Sequence, residues 1–191
     1  NNTYKITPTT FDSWARILKQ VDESVLFVYA NHELSKTNLT KEIIDRGVNP
    51  KRLIFGERLA RAEYLARYRV ADLFLDTQPY NAGTTASDAL RMGLPIITLI
   101  GKSYQARMGA SILNAINLTE LITSSIEEYE SLAIEIATNP EKHKKIKAKL
   151  ASNLSNAALY DARLFTKNIE KAYKEMNERY HKGLKPEHIY Y

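Results

Sequence analysis

Residues Asp76–Met92 read DTQPYNAGTTASDALRM and directly follow an apolar run, ADLFL, at Ala71–Leu75. The apolar run has the length of a buried strand, Pro79 and Gly83 are typical turn residues, and the hydroxyls of Thr84–Thr85 are typical of a helix start. At a helix start, N–H groups without an intrahelical partner and the positive end of the helix dipole favour an anion. The segment therefore predicts either a phosphate-binding turn or a simple helix cap without a ligand.

Strand-length apolar runs recur along the chain and alternate with segments of helical periodicity. They are Ser24–Ala30, Arg52–Gly56, Asp72–Asp76, Ile96–Ile100 and Leu121–Thr123. Such alternation favours a parallel, doubly wound α/β sheet, whose ligands bind beyond the carboxyl ends of the strands. The first strand is predicted to be buried on both faces. Only helices are predicted after residue 125, so we predict a single domain over residues 1–191 with extra carboxyl-terminal helices.

The composition narrows the class of protein. Hydrophobic residues make up 44% of the chain, as in a folded globular domain. The chain has no cysteine, which excludes disulfides and cysteine-based metal sites and is compatible with a cytoplasmic protein. No apolar run approaches the roughly 20 residues that span a bilayer, so no membrane partner is predicted. A net charge of +5 favours an anionic ligand, either nucleic acid or a phosphorylated small molecule.

Several polar and aromatic side chains near the predicted strand ends are candidate ligand contacts. Asp88 lies one turn into the predicted helix, where its carboxylate can accept hydrogen bonds from ribose hydroxyls. Arg61, Tyr64 and Arg67 recur every third residue of a short helix, so the ring can stack on a base and the arginines can neutralise phosphate. Lys5 can reach a phosphate as a point charge. Each of these residues is also compatible with an ordinary solvent-exposed surface.

Sequence motifs for nucleic-acid binding, other nucleotide folds, hydrolase catalysis or metal binding are weak or missing. The run KHKKIKAK at Lys142–Lys149 is the strongest basic cluster; it favours a solvated helix face, with nucleic-acid contact as the alternative. No P-loop, GxGxxG or GxSxG pattern occurs, and the four histidines have no metal-ligand spacing. We therefore predict neither a nucleic-acid partner nor a metal site.

The segment LDTQPYNAGTTASDALRMGLPIITLIGKSYQARMGASIL, residues 75–113, resembles the carboxyl-terminal half of the O-linked N-acetylglucosamine transferase family. The similarity extends over NNTYKITPTTFDSWARILKQV, RLIFGERLARAEYLARYRVADLFLDT and the final NERYHKGLKPEHIYY. It is greatest to the bacterial, tetratricopeptide-linked members often called SPINDLY-like. The resemblance implies the second, Rossmann-like domain of a GT-B fold, which holds a UDP-sugar. We expect this chain to be a fragment whose first strand is clipped and whose first GT-B domain is absent.

The resemblance also implies roles for residues near the start of the chain and on the short helix. Lys5 matches the lysine that holds the diphosphate and stabilises the leaving group. Asn2 stands where a glutamine of the animal enzymes contacts phosphate. Arg61 stands on a lysine near the nucleoside, Tyr64 on a histidine that stacks on uracil, and Arg67 on an arginine of the same helix.

The remaining matches lie in the segment quoted first. Thr84 and Thr85 match the pair of threonines that donate to phosphate, and Asp88 matches the acid that binds the ribose. Gly83 stands where the animal enzymes have a histidine, so no side-chain contact to the diphosphate is expected at this position.

The family resemblance implies an inverting transfer from a UDP-sugar, commonly UDP-N-acetylglucosamine, to a protein Ser or Thr hydroxyl. No metal and no cofactor are implied, and the base and the acceptor contacts are expected from the missing domain and repeats. This fragment alone is predicted to bind UDP weakly and to transfer no sugar. Two alternatives stay open: N-linked glucose transfer to asparagine, and a non-catalytic nucleotide-sensing or assembly module.

Overall fold

The structure, a computed structural model, describes residues 2–190. Its strands are β1 Leu26–Tyr29, β2 Leu53–Gly56, β3 Phe74–Leu75, β4 Ile96–Leu99 and β5 Ile122–Thr123. Its α-helices are α1 Pro8–Gln20, α2 Glu33–Asp45, α3 Arg61–Arg67, α4 Thr84–Arg91, α5 Met108–Ala115, α6 Ile126–Thr138, α7 Pro140–Leu154 and α8 Ala162–His181. Every strand predicted from the sequence is present, and α6, α7 and α8 are the additional carboxyl-terminal helices.

All strand pairs are parallel, as the alternation of strands and helices predicts. Their hydrogen bonds form two groups, a pair in the order β1–β2 and a trio in the order β3–β4–β5. Leu26 lies opposite Leu53 in the pair, and Phe74 lies opposite Ile96 in the trio. Between β1 and β3 lies a cleft of about 1110 Å³.

The prediction that the first strand is buried on both faces is wrong for part of β1. Val28 is buried, but Phe27 is 44% exposed, and Val25 just before the strand is 58% exposed. The physical reason is that one face of the β1–β2 pair is left uncovered: Phe27 lies on the same face as its partner Ile54 on β2, which is 40% exposed.

The core joins the first helix to the carboxyl-terminal helices. Helix α1 begins at Pro8, and the preceding Thr7 caps it by accepting a hydrogen bond from the Thr10 amide. Its buried face packs on α6, where the Trp14 indole N–H donates to the Tyr129 hydroxyl at 3.3 Å. Tyr129 in turn donates to the carbonyl of Asp76 at 3.0 Å. This chain of bonds fixes the end of β3 relative to α1 and α6.

Helix α8 contributes little to this core. None of its residues is buried, and Phe165, Tyr173 and Met176 on its apolar stripe are more than half exposed. No helix within residues 2–190 is long and apolar enough to cross a bilayer. The predicted cytoplasmic location stays a prediction.

Candidate functional site

Asp76 organises the turn that follows β3. Its side chain is buried, and its Oδ1 accepts hydrogen bonds from the amides of Thr77 at 2.8 Å and Ala82 at 2.7 Å. Its Oδ2 accepts from the Thr98 hydroxyl at 2.7 Å. The bonds to Thr77 and Ala82 bring the two ends of the turn together. Asp76 is therefore a turn-stabilising residue.

The same turn is also tied down from outside. The carbonyl of Gln78 accepts hydrogen bonds from the hydroxyls of Thr7 at 3.2 Å and Thr10 at 3.0 Å. Within the turn, the Asn81 amide group donates to the Thr77 carbonyl at 2.9 Å. Both partners of Gln78 belong to the start of α1, so this turn and the amino-terminal segment form one rigid unit.

Lys5 lies on this rigid unit. Its ammonium donates to the carbonyl of Asn81 at 3.0 Å and lies 3.9 Å from the centroid of the Tyr80 ring. The contact with the ring face is a cation–π interaction, which restricts a side chain that is otherwise very mobile. Sequence reasoning missed Tyr80, because its contact with Lys5 depends on the tertiary fold.

Helix α4 begins at Thr84, with Gly83 as its N-cap residue and no side-chain capping bond. The hypothesis that Thr84 is only an N-cap is therefore wrong, because its hydroxyl lies one position too late in the chain. A Cβ at Gly83 would meet Met108 Cγ at 3.5 Å, an ordinary contact, so space alone does not require glycine here. The first turn of α4 thus lacks a side-chain acceptor at its cap and suits an anion.

Asp88, one turn into α4, is already engaged by α3. Arg61 donates to its two carboxylate oxygens at 2.9 and 3.0 Å, and the Tyr64 hydroxyl donates to Oδ2 at 3.1 Å. A carboxylate accepts about four hydrogen bonds, so a ribose that offers two hydroxyls must displace one of these donors. Arg61 is the donor that a ribose can displace into solvent, because 65% of its side chain is exposed.

Tyr64 is oriented by Tyr68, which sequence reasoning missed. Their hydroxyls are 2.7 Å apart, and their rings meet edge to face with centroids 5.3 Å apart. Since Tyr64 donates its proton to Asp88, Tyr68 must be the donor to Tyr64. Burial raises the pKa of Tyr64 and of Tyr68 above the ordinary tyrosine value, so both phenols stay protonated at neutral pH.

Arg67 completes this corner of the cleft. Its guanidinium donates to the carbonyl of Glu57 at 2.9 Å and lies over the rings of Phe27 and Tyr64, 5.3 and 5.7 Å from their centroids. Arg67 is therefore bonded to the backbone in this structure and presents its charge beside the Tyr64 ring.

Most of the predicted ligand contacts line the single cleft between β1 and β3. These are Asn2, Lys5, Tyr64, Arg67, Gly83, Thr84 and Thr85. Arg61 and Asp88 are outside this lining and connect to it through Tyr64. The fold thus brings the predicted residues together, while their individual roles in binding stay predictions.

The other candidate sites take no part in the cleft. Lys142 pairs with Glu135 at 2.6 Å and Lys149 with Glu120 at 2.8 Å, as expected of a solvated helix face. Across residues 2–190, no group of three or more His, Asp or Glu side chains is placed to hold a metal ion. The absence of a metal or cofactor from the reaction stays a prediction.

Comparison with known proteins gives consistent matches. The chain is 31% identical over 189 residues to the UDP-N-acetylglucosamine–peptide N-acetylglucosaminyltransferase of Caenorhabditis elegans, covering 99% of the chain and 16% of that protein. It is also 31% identical over 187 residues to a probable enzyme of the same description, SPINDLY, of Solanum lycopersicum, covering 96% of the chain and 20% of that protein. The chain therefore spans a fifth or less of the length of these relatives.

A solved structure and a family model complete the comparison. A mutant O-GlcNAc transferase of Thermobaculum terrenum superposes with a TM-score of 0.85 at 31% identity, covering 90% of this chain and 34% of that one. This match confirms the predicted GT-B type of α/β fold. Because the matched proteins come from an animal, a plant and a bacterium, the bacterial branch stays a prediction. The model of glycosyl transferase family 41 matches residues 1–169, and the chain belongs to this family.

Proposed function

We propose that this chain is the donor-binding domain of a protein glycosyltransferase and that its cleft binds a UDP-sugar without a metal ion. The observation that carries the proposal is the convergence of Lys5, the start of α4 and the Tyr64 ring on one cleft. A cation and a helix start suit a diphosphate, and an aromatic face suits a base. Lys5, Gly83 and Thr84 line the part of the cleft that lies beyond the carboxyl end of β3, and doubly wound sheets bind their ligands beyond the carboxyl ends of their strands.

The chemistry assigned to these residues is stabilisation of the leaving group. When the bond between the sugar and the diphosphate breaks, negative charge grows on the phosphate oxygen. The Lys5 ammonium, the first amides of α4 and the hydroxyls of Thr84 and Thr85 are donors that can face this charge. A preorganised donor of this kind contributes about 3 kcal/mol to lowering a barrier. The attacking hydroxyl and its base are assigned to parts of the protein outside this chain.

UDP-N-acetylglucosamine is the donor we propose first, with a peptide Ser or Thr hydroxyl as acceptor. The descriptions of the relatives support this choice, since they specify that donor and a peptide acceptor. UDP-glucose with an asparagine acceptor is the alternative within the same fold. A domain that only senses nucleotide or assembles with a partner is the alternative outside catalysis.

The test is calorimetry of the chain with UDP, UDP-N-acetylglucosamine, UDP-glucose, GDP and uridine. We expect UDP and UDP-N-acetylglucosamine to bind. We expect uridine to bind at least about tenfold more weakly, because it lacks the diphosphate that Lys5 and the start of α4 contact. A ligand at 100 times its dissociation constant should stabilise the fold by about 2.7 kcal/mol.

The same panel separates the alternatives. Preferential binding of UDP-glucose favours the asparagine-modifying enzyme, and no binding of any nucleotide at millimolar concentration favours the assembly module and contradicts our proposal. Incubation of the chain with labelled UDP-N-acetylglucosamine and peptide should yield no glycopeptide, because the base is assigned elsewhere.

Substitutions at Tyr64 separate ring stacking from hydroxyl contact. Tyr64→Ala should weaken UDP binding about tenfold or more, because stacking of a base on an aromatic side chain contributes about 1–3 kcal/mol. Tyr64→Phe keeps the ring and loses the bond to Asp88, so its affinity should stay within about threefold of the parent chain. Calorimetry with UDP measures both. If Phe and Ala weaken binding equally, the ring does not stack on the base.

A further inference from the structure

Asp88, the candidate acceptor for ribose hydroxyls, is covered by a single arginine. Arg61, the first residue of α3, donates from Nη1 to Oδ2 at 3.0 Å and from Nη2 to Oδ1 at 2.9 Å. Only 10% of the Asp88 side chain is exposed, and neither residue is among those that line the cleft. A ribose that needs two hydrogen bonds to Asp88 must therefore displace Arg61.

The same guanidinium also lies against the aromatic ring that is the candidate partner of the base. The Arg61 Cζ is 5.4 Å from the centroid of the Tyr64 ring, within the range of a cation–π contact. A guanidinium is planar and stacks on aromatic faces as a base does. Arg61 thus makes, with one group, both contacts expected of a nucleoside, one with the Tyr64 ring and one with the Asp88 carboxylate.

Arg61 is the part of this arrangement that can leave. Its side chain is 65% exposed, and an ion pair at such a site is weak because water and salt screen it. Tyr64 is held more firmly, since the Tyr68 hydroxyl lies 2.7 Å from its own and the two rings meet edge to face. The ring and the carboxylate therefore stay in place when Arg61 swings into solvent.

We propose that Arg61 is an autoinhibitory gate: in the free chain it occupies the place of the nucleoside, and a ribonucleoside binds only after Arg61 has left Asp88. This inference rests on the proposed function, because it takes Tyr64 and Asp88 as the nucleoside contacts. A site that is open in only a fraction of the molecules binds with its affinity reduced by that fraction. Arg61 thus lowers nucleoside affinity, whereas a direct ligand contact would raise it.

Uridine is the probe that tests the gate. It has no phosphate, whereas UDP would also respond to the loss of a positive charge near the diphosphate. Arg61→Ala should bind uridine about threefold to fivefold more tightly than the parent chain, because an exposed ion pair no longer has to be broken. Arg61→Lys keeps the charge but loses the two-pronged geometry, so its affinity should be intermediate. NMR titration that follows the amides of Tyr64 and Asp88 measures the dissociation constants.

Salt gives a second readout, which a merely structural role of Arg61 would not move. Uridine is neutral, and salt weakens the Arg61–Asp88 pair, so the parent chain should bind uridine about twofold more tightly at about 0.5 M than at about 0.05 M sodium chloride. Uridine binding to Arg61→Ala should not change with salt. Arg69→Ala is the matched control, because Arg69 is exposed and lies outside the cleft lining. It should keep the affinity and the salt response of the parent chain.

Weaker or unchanged uridine binding by Arg61→Ala, in a chain that circular dichroism shows to be folded, would overturn the gate. If Arg61→Ala does not fold, Arg61→Lys and the salt response of the parent chain decide, and uridine binding that weakens in both would overturn it. UDP binding by the parent chain tests the proposed function separately. If UDP binds and uridine affinity does not rise in Arg61→Ala, the gate alone fails. If no chain binds UDP or uridine, the proposed function fails and the gate fails with it.

Discussion

Lys5→Ala should weaken UDP binding to this chain by about tenfold to a hundredfold and leave uridine binding unchanged. A hydrogen bond to a charged group contributes about 1.5–3 kcal/mol, and each 1.4 kcal/mol corresponds to about tenfold in affinity. Uridine has no phosphate, so it should not sense the ammonium. The contrast between the two ligands assigns the loss to the diphosphate and not to damage of the fold.

The surroundings of Lys5 explain why the expected loss is large. The ammonium has three donors, and the Asn81 carbonyl is its one hydrogen-bond acceptor among residues 2–190. Tyr80 holds it by a contact of 3.9 Å to the ring centroid. Two donors therefore remain for phosphate oxygens, and little side-chain order has to be created on binding.

Calorimetry with UDP and uridine at two salt concentrations measures this effect. Lys174→Ala makes the same chemical change on exposed α8 and should leave both affinities unchanged. Lys5→Arg keeps the charge but alters the reach, so an intermediate affinity is expected. Unchanged UDP binding in Lys5→Ala would place the diphosphate elsewhere. Equal loss of UDP and uridine binding would show damage to the fold and contradict a specific phosphate contact.

The elements that bear the site are predictable from the sequence, because each depends on residues close together in the chain. The apolar run before Asp76 predicts β3, and Pro8 after Thr7 predicts the start of α1. The contacts between these elements cannot be predicted in the same way, because they join residues that are far apart in the chain. Lys5 and Asn81 are 76 residues apart, and Arg61 and Asp88 are 27 apart. No local periodicity encodes such pairs, so the engagement of Asp88 by Arg61 could be seen only in the fold.

The burial of the β1 side chains is another property that the local sequence does not predict. An apolar run predicts a strand because the preference for extended backbone belongs to the residues themselves. Whether Phe27 is covered depends instead on what lies beside the strand. The clipped first strand that the family resemblance implies stays a prediction.

Gly109→Ala should destabilise the chain by about 2–6 kcal/mol. Gly109 lies in the first turn of α5, and a Cβ there would press against the Thr98 hydroxyl and lie 2.7 Å from Asp76 Oδ2. Overpacking of a core costs about 1–3 kcal/mol. Separating Thr98 from Asp76 would add about 1–3 kcal/mol more, because the buried carboxylate would lose the hydrogen bond from the Thr98 hydroxyl.

The damage should reach the candidate site, since Asp76 closes the turn that leads to Gly83. Chemical denaturation measures the stability, and calorimetry with UDP measures the site in the folded fraction. Gly93→Ala is the matched control: its φ of +82° strains an alanine, but nothing lies within 4 Å of the added Cβ. A left-handed alanine costs about 1–2 kcal/mol, so Gly109→Ala should be clearly the more destabilising of the two. If the two substitutions cost the same, the contact between α5 and the Asp76–Thr98 pair is loose enough to admit a methyl group, and Asp76 does not hold the turn as rigidly as its hydrogen bonds indicate.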